Sequence, residues 1–151
     1  MNLSLLVITF NSEQYIERCL NSIYNSLSKI QNYEIIILDN HSNDKTIDII
    51  QSIKDNSTKI ISNTFNKGYS IAINKGVTNA KFDNILILNP DIIMKSNSIN
   101  ELLNALCLQN VGIVGPKLVN INGAFQLSSR RHFPTLGILI SHMLKLDIIF
   151  P

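Results

Sequence analysis

The chain has 151 residues, the size of one domain and enough to bury a core without disulfide or metal staples. Apolar residues make up 45% and charged residues 16%, a globular balance that excludes an intrinsically disordered chain. The formal net charge of +2 is too small to imply nucleic-acid binding, and Cys19 and Cys107 stand far apart without a CxxC partner, which excludes a disulfide or metal framework.

Met1 runs directly into a strand-like segment with no basic leader, and no apolar run reaches the ~18 residues of a membrane span. A cytoplasmic location is expected. Leu3–Phe10 is a short, nearly continuous apolar run, as suits a strand buried on both faces of a parallel sheet. Asn11 or Ser12 then caps a helix that carries Ile16, Leu20, Ile23 and Leu27 at helical spacing. The second strand is Glu34–Asp39, and the turn Asn40–Asp44, rich in capping residues, leads into a helix through Ile47, Ile50 and Ile53. Lys59–Ser62 is the third strand, Asn66 and Gly68 open a third helix that runs to about Asn79, and Asn84–Asn89 is the fourth strand. After Asp91 the pattern loosens into a helix over Ser98–Leu108 and a strand over Val111–Gly115. A hairpin follows, turning at Asn122-Gly123. Cys19 and Cys107 fall in helix-like apolar stretches and are expected in the core. Strands alternating with helices imply right-handed βαβ units, a parallel sheet and an α/β fold.

In open parallel sheets, ligands bind beyond the carboxyl ends of the strands. Those ends read Thr9-Phe10-Asn11, Asp39-Asn40, Asn63 with Asn66-Lys67-Gly68, and Asn89-Pro90-Asp91. All four are polar, and two carry carboxylates, so a polar ligand site is expected on that edge. The first strand–helix turn has no glycine. A backbone phosphate cradle of the dinucleotide or P-loop type is therefore excluded, because both need glycine to wrap phosphate. Side chains and a cation must hold the ligand instead. Asp91, behind a rigid proline, is the candidate for that divalent cation, and hard oxygen donors suit Mg2+ or Mn2+.

The segments Val7–Asn11 with Glu13, Leu38–Asp44, Asn66–Gly68 with Asn74 and Gly76, and Leu88–Asp91 carry a resemblance when taken in order and spacing. Gly115–Lys117 and Gly123–Arg131 with Pro134 extend it. Together they resemble GT-A glycosyltransferase family 2, and in particular its rhamnosyltransferase-like branch. The resemblance implies a three-layer α/β sandwich with a mostly parallel sheet. It would form one nucleotide-sugar-binding domain over residues 1–151, with nucleotide-binding βα units in 1–91 and an incomplete start of the acceptor-side region in 92–151.

By that resemblance Thr9, Phe10 and Asn11 line the nucleoside pocket, against the plainer reading of a strand end with a helix cap. Glu13 belongs to the same set, although a carboxylate in a first helical turn is also favoured by the dipole. Asp39 contacts the pyrimidine base, Asp44 orders its loop or caps the second helix, and His41 has no assigned task. Asn66, Gly68 and Asn74 surround the start of the third helix as donor contacts, with backbone shape the alternative for Gly68. Asn89 and Asp91 occupy the two ends of the family's DxD motif. Asp91 then coordinates the metal on the diphosphate, and Asn89 touches ribose or sugar or shapes the loop. Arg130 and Arg131 suit a donor diphosphate or a lipid-pyrophosphate acceptor, against a solvated surface pair.

The implied reaction moves a sugar, rhamnose by branch, from a dTDP- or UDP-linked donor to a glycan or lipid-linked acceptor with inversion. After Asp91 the carboxylates are Glu101 and Asp147, and neither has the context of the family's general base. No catalytic residue is assigned, and the chain is expected to be C-terminally truncated, with the base beyond its end. Phe133–Phe150 fits an amphipathic helix at the inner face of the plasma membrane, or a segment that packs against further chain, which is preferred. Two alternatives stand beside the transferase. One is a truncated, non-catalytic nucleotide-sugar-binding fragment. The other is a sugar nucleotidyltransferase, disfavoured because Asn11–Gln14 replaces the expected glycine- and arginine-rich loop.

Overall fold

The apolar runs Leu3–Phe10 and Glu34–Asp39 form the two central strands of a four-stranded parallel sheet. The computed structural model describes residues 1–126, Ser129 and Thr135. They fall in two units, Met1–Val114 and the part from Gly115 onward. The first unit runs β1 (Asn2–Thr9), α1 (Ile16–Leu27), β2 (Asn32–Asp39), α2 (Thr46–Ile53), β3 (Thr58–Ser62), α3 (Tyr69–Asn79), β4 (Ile85–Leu88) and α4 (Ser98–Leu106).

The strand order is β3-β2-β1-β4, with every neighbouring pair parallel. From β1 the chain steps outward through β2 to β3 and then returns to place β4 on the other side of β1. The direction of winding therefore reverses between β1 and β4, the switch point beyond whose carboxyl ends sheets of this kind bind ligands.

Strand periodicity sorts the side chains into two layers. Leu3, Leu5, Val7, Ile35 and Ile37 face one way, in one core with Ile16, Leu20, Ile23 and Leu27 of α1, Ile50 of α2, and Ile99 and Leu103 of α4. Leu6, Ile8, Ile36 and Leu38 face the other way and pack with Ala72 of α3. Both layers are apolar because both sides of the sheet are covered, which is why β1 and β2 read as continuous runs instead of alternating ones. On the second face α3 lies very close to the sheet. A Cβ added at Gly76 would stand 2.7 Å from Leu38 Cδ1 and 2.9 Å from Leu6 Cδ1. Glycine at this position sets the helix–sheet distance.

Three expectations need correction. Helix α1 begins at Ile16, four residues beyond Ser12. Asn11 takes a left-handed φ of 48°, and the Ser12 carbonyl accepts from both Tyr15 N–H and Ile16 N–H at 3.0 Å, which makes a turn of this stretch. Val111–Gly115 forms no strand: it makes no ladder, and Ile113 is 94% exposed. Two glycines in five residues give a strand little to pack and much entropy to lose. Cys107 is exposed at the C-cap of α4, whereas Cys19 is buried as expected.

In the second unit the hairpin is present. Val119 and Phe125 pair antiparallel, Asn120 N–H donates to the Ala124 carbonyl at 2.8 Å, and Gln126 N–H donates to the Leu118 carbonyl at 3.0 Å. The turn closes through Gly123 N–H to the Asn120 carbonyl. Arg130, Arg131 and most of Phe133–Phe150 lie outside the described residues.

Candidate functional site

The loops that follow β1 and β2 are bonded to each other through side chains. Asn11 Oδ1 accepts from Asn43 N–H at 2.8 Å, and Asn11 N–H donates to Ser42 Oγ at 2.9 Å. Ser12 N–H donates to Thr46 Oγ1 at 2.7 Å. Glu13 N–H donates to Asp44 Oδ2 at 3.1 Å, while Glu13 Oε2 accepts from Lys45 N–H at 3.0 Å. The arrangement is reciprocal, with a carboxylate of each loop accepting an N–H of the other. It holds Glu13 and Lys45 N–H ahead of the two helices, while α1 itself begins behind Tyr15 with no side-chain cap bond.

Asp44 is the centre of the lacing. Its Oδ1 also accepts from the Thr46 hydroxyl and from Thr46 N–H at the head of α2. Burial by itself pushes its carboxyl up, but bonds from the Thr46 hydroxyl and from the Glu13 and Thr46 N–H groups outweigh that and hold it below the ordinary carboxylate value. The expectation that Asp44 orders its loop is met in this geometry.

Asp39 is 2% exposed and largely engaged. Its Oδ2 accepts from His41 N–H and Ser42 N–H at 3.1 and 3.0 Å, and its Oδ1 accepts from the Ser42 hydroxyl at 2.5 Å. His41 stands at φ 71° to make this turn. A carboxylate offers about four acceptor positions, so these three bonds leave about one open. One open position is what a single base N–H would need.

Third comes the loop after β3. Gly68 has φ 84°, a left-handed value that excludes most side chains although nothing would touch a Cβ there. Its N–H donates to Asn66 Oδ1 at 2.9 Å, so Asn66 shapes this turn. Its carbonyl accepts from Asn40 Nδ2 at 3.3 Å. Asn74 is exposed on α3 with no side-chain hydrogen bond among the described residues.

The lip formed by the ends of β1 and β4 is different. Phe10 is 44% exposed, and Asn89 and Asp91 are exposed with side chains that bond nothing among the described residues. Thr9 Oγ1 is buried at the end of β1 and has no partner among them either. Asp91 makes itself felt at two neighbours. Burial first, and the Asp91 charge second, push the Cys19 thiol up to about 12 and raise the Tyr69 phenol. Tyr69 opens α3, is 47% exposed, and went unnamed in the sequence motifs. Its place directly after Gly68 was the available signal.

No group of three His, Cys, Asp or Glu side chains comes together among the described residues. Asp91 is one carboxylate on an open lip. That donor set fits a cation shared with a ligand's phosphates, since Mg2+ is commonly held by one or two carboxylates and the phosphates of its substrate.

An open parallel α/β sheet with polar side chains at its switch point, and no glycine in its first strand–helix turn, is the class of fold seen here. The sequence profile of glycosyl transferase family 2 matches residues 4–150. The chain belongs to that family. A Methanococcus voltae dolichyl N-acetyl-alpha-D-glucosaminyl phosphate 3-beta-D-2,3-diacetamido-2,3-dideoxy-beta-D-glucuronosyltransferase is 32% identical over 80% of this chain and 38% of its own length. A Bacillus spizizenii poly(ribitol-phosphate) beta-glucosyltransferase is 31% identical over 82% of this chain and 20% of its own length. Among solved structures, a mannosyltransferase from Pyrobaculum calidifontis in complex with GDP-Man and Mn2+ superposes with a TM-score of 0.68 at 21% identity, covering 74% of this chain and 34% of that one. The chain shares the GT-A fold with this structure. The chain spans 38% or less of the length of these two curated relatives.

Proposed function

We infer that the crevice at the ends of β1 and β4 binds the diphosphate of a nucleotide sugar, and that the chain carries the donor side of a sugar transfer. The observation that supports this reading is the contrast at the strand ends. Asp39 keeps about one acceptor position, while Thr9, Asn89 and Asp91 carry polar groups that nothing described engages. A base N–H at Asp39 and a diphosphate near Asp91 would occupy both. The relatives named above act on lipid-linked or polymeric acceptors by their names, which supports a glycan or lipid-linked acceptor here. A dTDP- or UDP-linked donor, rhamnose as the sugar, and inversion rest on the motif resemblance.

In this reading Asp91, with Asn89 beside it, would hold Mg2+ or Mn2+ against the diphosphate. When bound, the cation supplies charge neutralisation for the departing diphosphate. Asp39 orients the base, and Phe10 offers its exposed ring to the nucleoside. The N-cap peptide of α3 and Tyr69 stand on the side of the crevice facing Asp91.

Transfer also needs a base for the acceptor proton. Glu101 accepts from Asn97 Nδ2 at 3.1 Å in the first turn of α4, where it pairs with the N-cap side chain. That engagement favours, as a second reading, donor binding without turnover by this chain. The two readings separate in a transfer assay run beside a binding assay. Nucleotide diphosphates and sugars are screened with Mn2+ by thermal shift, since a ligand that binds the folded state raises Tm. Binding with turnover supports the transferase, and binding without turnover supports the second reading. Absence of any pyrimidine-nucleotide shift contradicts both.

A further inference from the structure

Lys75 lies two turns into α3 and belongs to none of the donor contacts above, yet its side chain is half-buried. Its ammonium donates to Asn63 Oδ1 at 2.7 Å. Asn63 Nδ2 donates to Asn40 Oδ1 at 2.8 Å, and Asn40 Nδ2 donates to the Gly68 carbonyl at 3.3 Å. Asn40 and Asn63 are 4% and 5% exposed. Their backbones are already held, because Asn40 N–H donates to the Thr9 carbonyl and Asn63 N–H to the Asp39 carbonyl, each at 2.8 Å. Only the orientation of each amide is left to choose.

Chemistry makes that choice. An ammonium has protons to give and no lone pair to offer. It obliges Asn63 to turn its oxygen toward Lys75 and its NH2 toward Asn40. Asn40 must then present its oxygen to Asn63 and its NH2 to Gly68. A carbonyl at the far end agrees with this polarity, so the chain is satisfied from both ends and neither amide can flip without leaving two like groups face to face. In a buried place such a mismatch costs about 1–3 kcal/mol per unmatched group, which is more than a typical hydrogen bond contributes.

We propose that Lys75 is a positioning residue for the donor crevice: through Asn63 and Asn40 it sets which way the amides point and so pins the Gly68 carbonyl and the start of α3. The proposal rests on the donor-site reading for its function. Gly68 needs such a tie. It sits in a left-handed conformation, and its carbonyl accepts only a long 3.3 Å bond from Ala72 N–H within the helix. The next residue is Tyr69, on the side of the crevice that faces Asp91.

The discriminating variant is Asn63→Asp. It keeps the shape and the acceptor for Lys75, and adds an opposite charge, but it turns the donor toward Asn40 into an acceptor. A merely structural role for Lys75 predicts a protein as stable as wild type with an unchanged loop. Positioning predicts roughly tenfold faster amide exchange across residues 64–72, with exchange elsewhere in the sheet near wild type. It also predicts roughly tenfold weaker binding of UDP or dTDP with Mn2+. Lys75→Arg keeps both properties near wild type, and Lys75→Met loses both, which keeps the test decisive if Asn63→Asp does not fold. Wild-type exchange across 64–72 in Asn63→Asp or in Lys75→Met overturns the proposal. The exchange measurement needs no nucleotide, so a wild-type protein that binds none defeats the donor-site reading and still leaves the relay decided.

Discussion

The loops after β1 and β2 and the lip between β1 and β4 look alike in sequence, both being short polar strand ends, but the structure uses them oppositely. In the first, Asn11, Glu13, Ser42 and Asp44 bond almost entirely to one another and to backbone N–H groups. In the second, Asn89 and Asp91 are left open beside Phe10 and Tyr69. A polar residue at a strand end is therefore a weak sign of ligand contact by itself. The informative quantity is how much hydrogen-bonding capacity remains after the protein's own bonds are counted. By that measure the laced loops are largely spent on the protein's own bonds, and the lip is the strand end that keeps groups for the ligand proposed above.

This comparison can be broken by substitution. The largest effect is expected at the lip in binding and nowhere in stability. Asp91→Asn should weaken a pyrimidine nucleotide diphosphate with Mn2+ by ~100-fold, about 2.7 kcal/mol, while Tm stays within about a degree. Calorimetric titration and thermal unfolding check the two halves separately. Asp39→Ala should do the reverse first: three bonds to a buried carboxylate are lost, so stability should fall by about 2–3 kcal/mol in a denaturant titration. Gly68→Ala should lower stability by about 1–3 kcal/mol, because φ 84° with ψ 164° is a region essentially reserved for glycine, and should loosen exchange near Tyr69.

A smaller effect, but one with a definite pH signature, is expected at Asp44. Its native carboxyl is held below the ordinary value, so the native state binds its proton less readily than the unfolded chain does. The resulting stability is fully present above about pH 4, the unfolded value, and is lost as pH falls through the lower native value. Asp44→Asn should flatten unfolding curves across that acid window, with a cost at neutral pH of about 1 kcal/mol or less because the group is solvent-screened. An Asp44→Asn protein whose acid profile matches wild type would contradict the assignment of this carboxylate as the centre of the lacing.

The fold was legible because its signals are local. Continuous apolar runs marked β1 and β2, and helical spacing of Ile16, Leu20, Ile23 and Leu27 marked the buried face of α1. Turn chemistry marked the hairpin at Asn122-Gly123. Errors came where a partner distant in sequence decided the outcome. The stretch ahead of α1 turns at Asn11 and Ser12 instead of continuing the helix, and there Thr46 and Asp44, some thirty residues away, hold the N–H groups of Ser12 and Glu13. Val111–Gly115 has strand-like composition but no ladder, and Cys107 has apolar neighbours in sequence but an exposed position in space. The site followed the same rule. The candidate strand ends were read from topology alone, and among them Asp91 is the carboxylate that bonds nothing described. The division of labour among Asn11, Glu13, Asp39 and Asp44, and the buried chain from Lys75, depend on pairings that no spacing in the sequence announces.

The claim that the lip is the ligand-binding half comes down to one measurement. UDP and dTDP, each with Mn2+, are titrated calorimetrically into the wild-type protein and into Asp91→Asn. The expected result is saturable binding by wild type and a ~100-fold loss in the variant at unchanged Tm. Equal affinity of the two proteins, or no binding of either nucleotide by wild type, would contradict it.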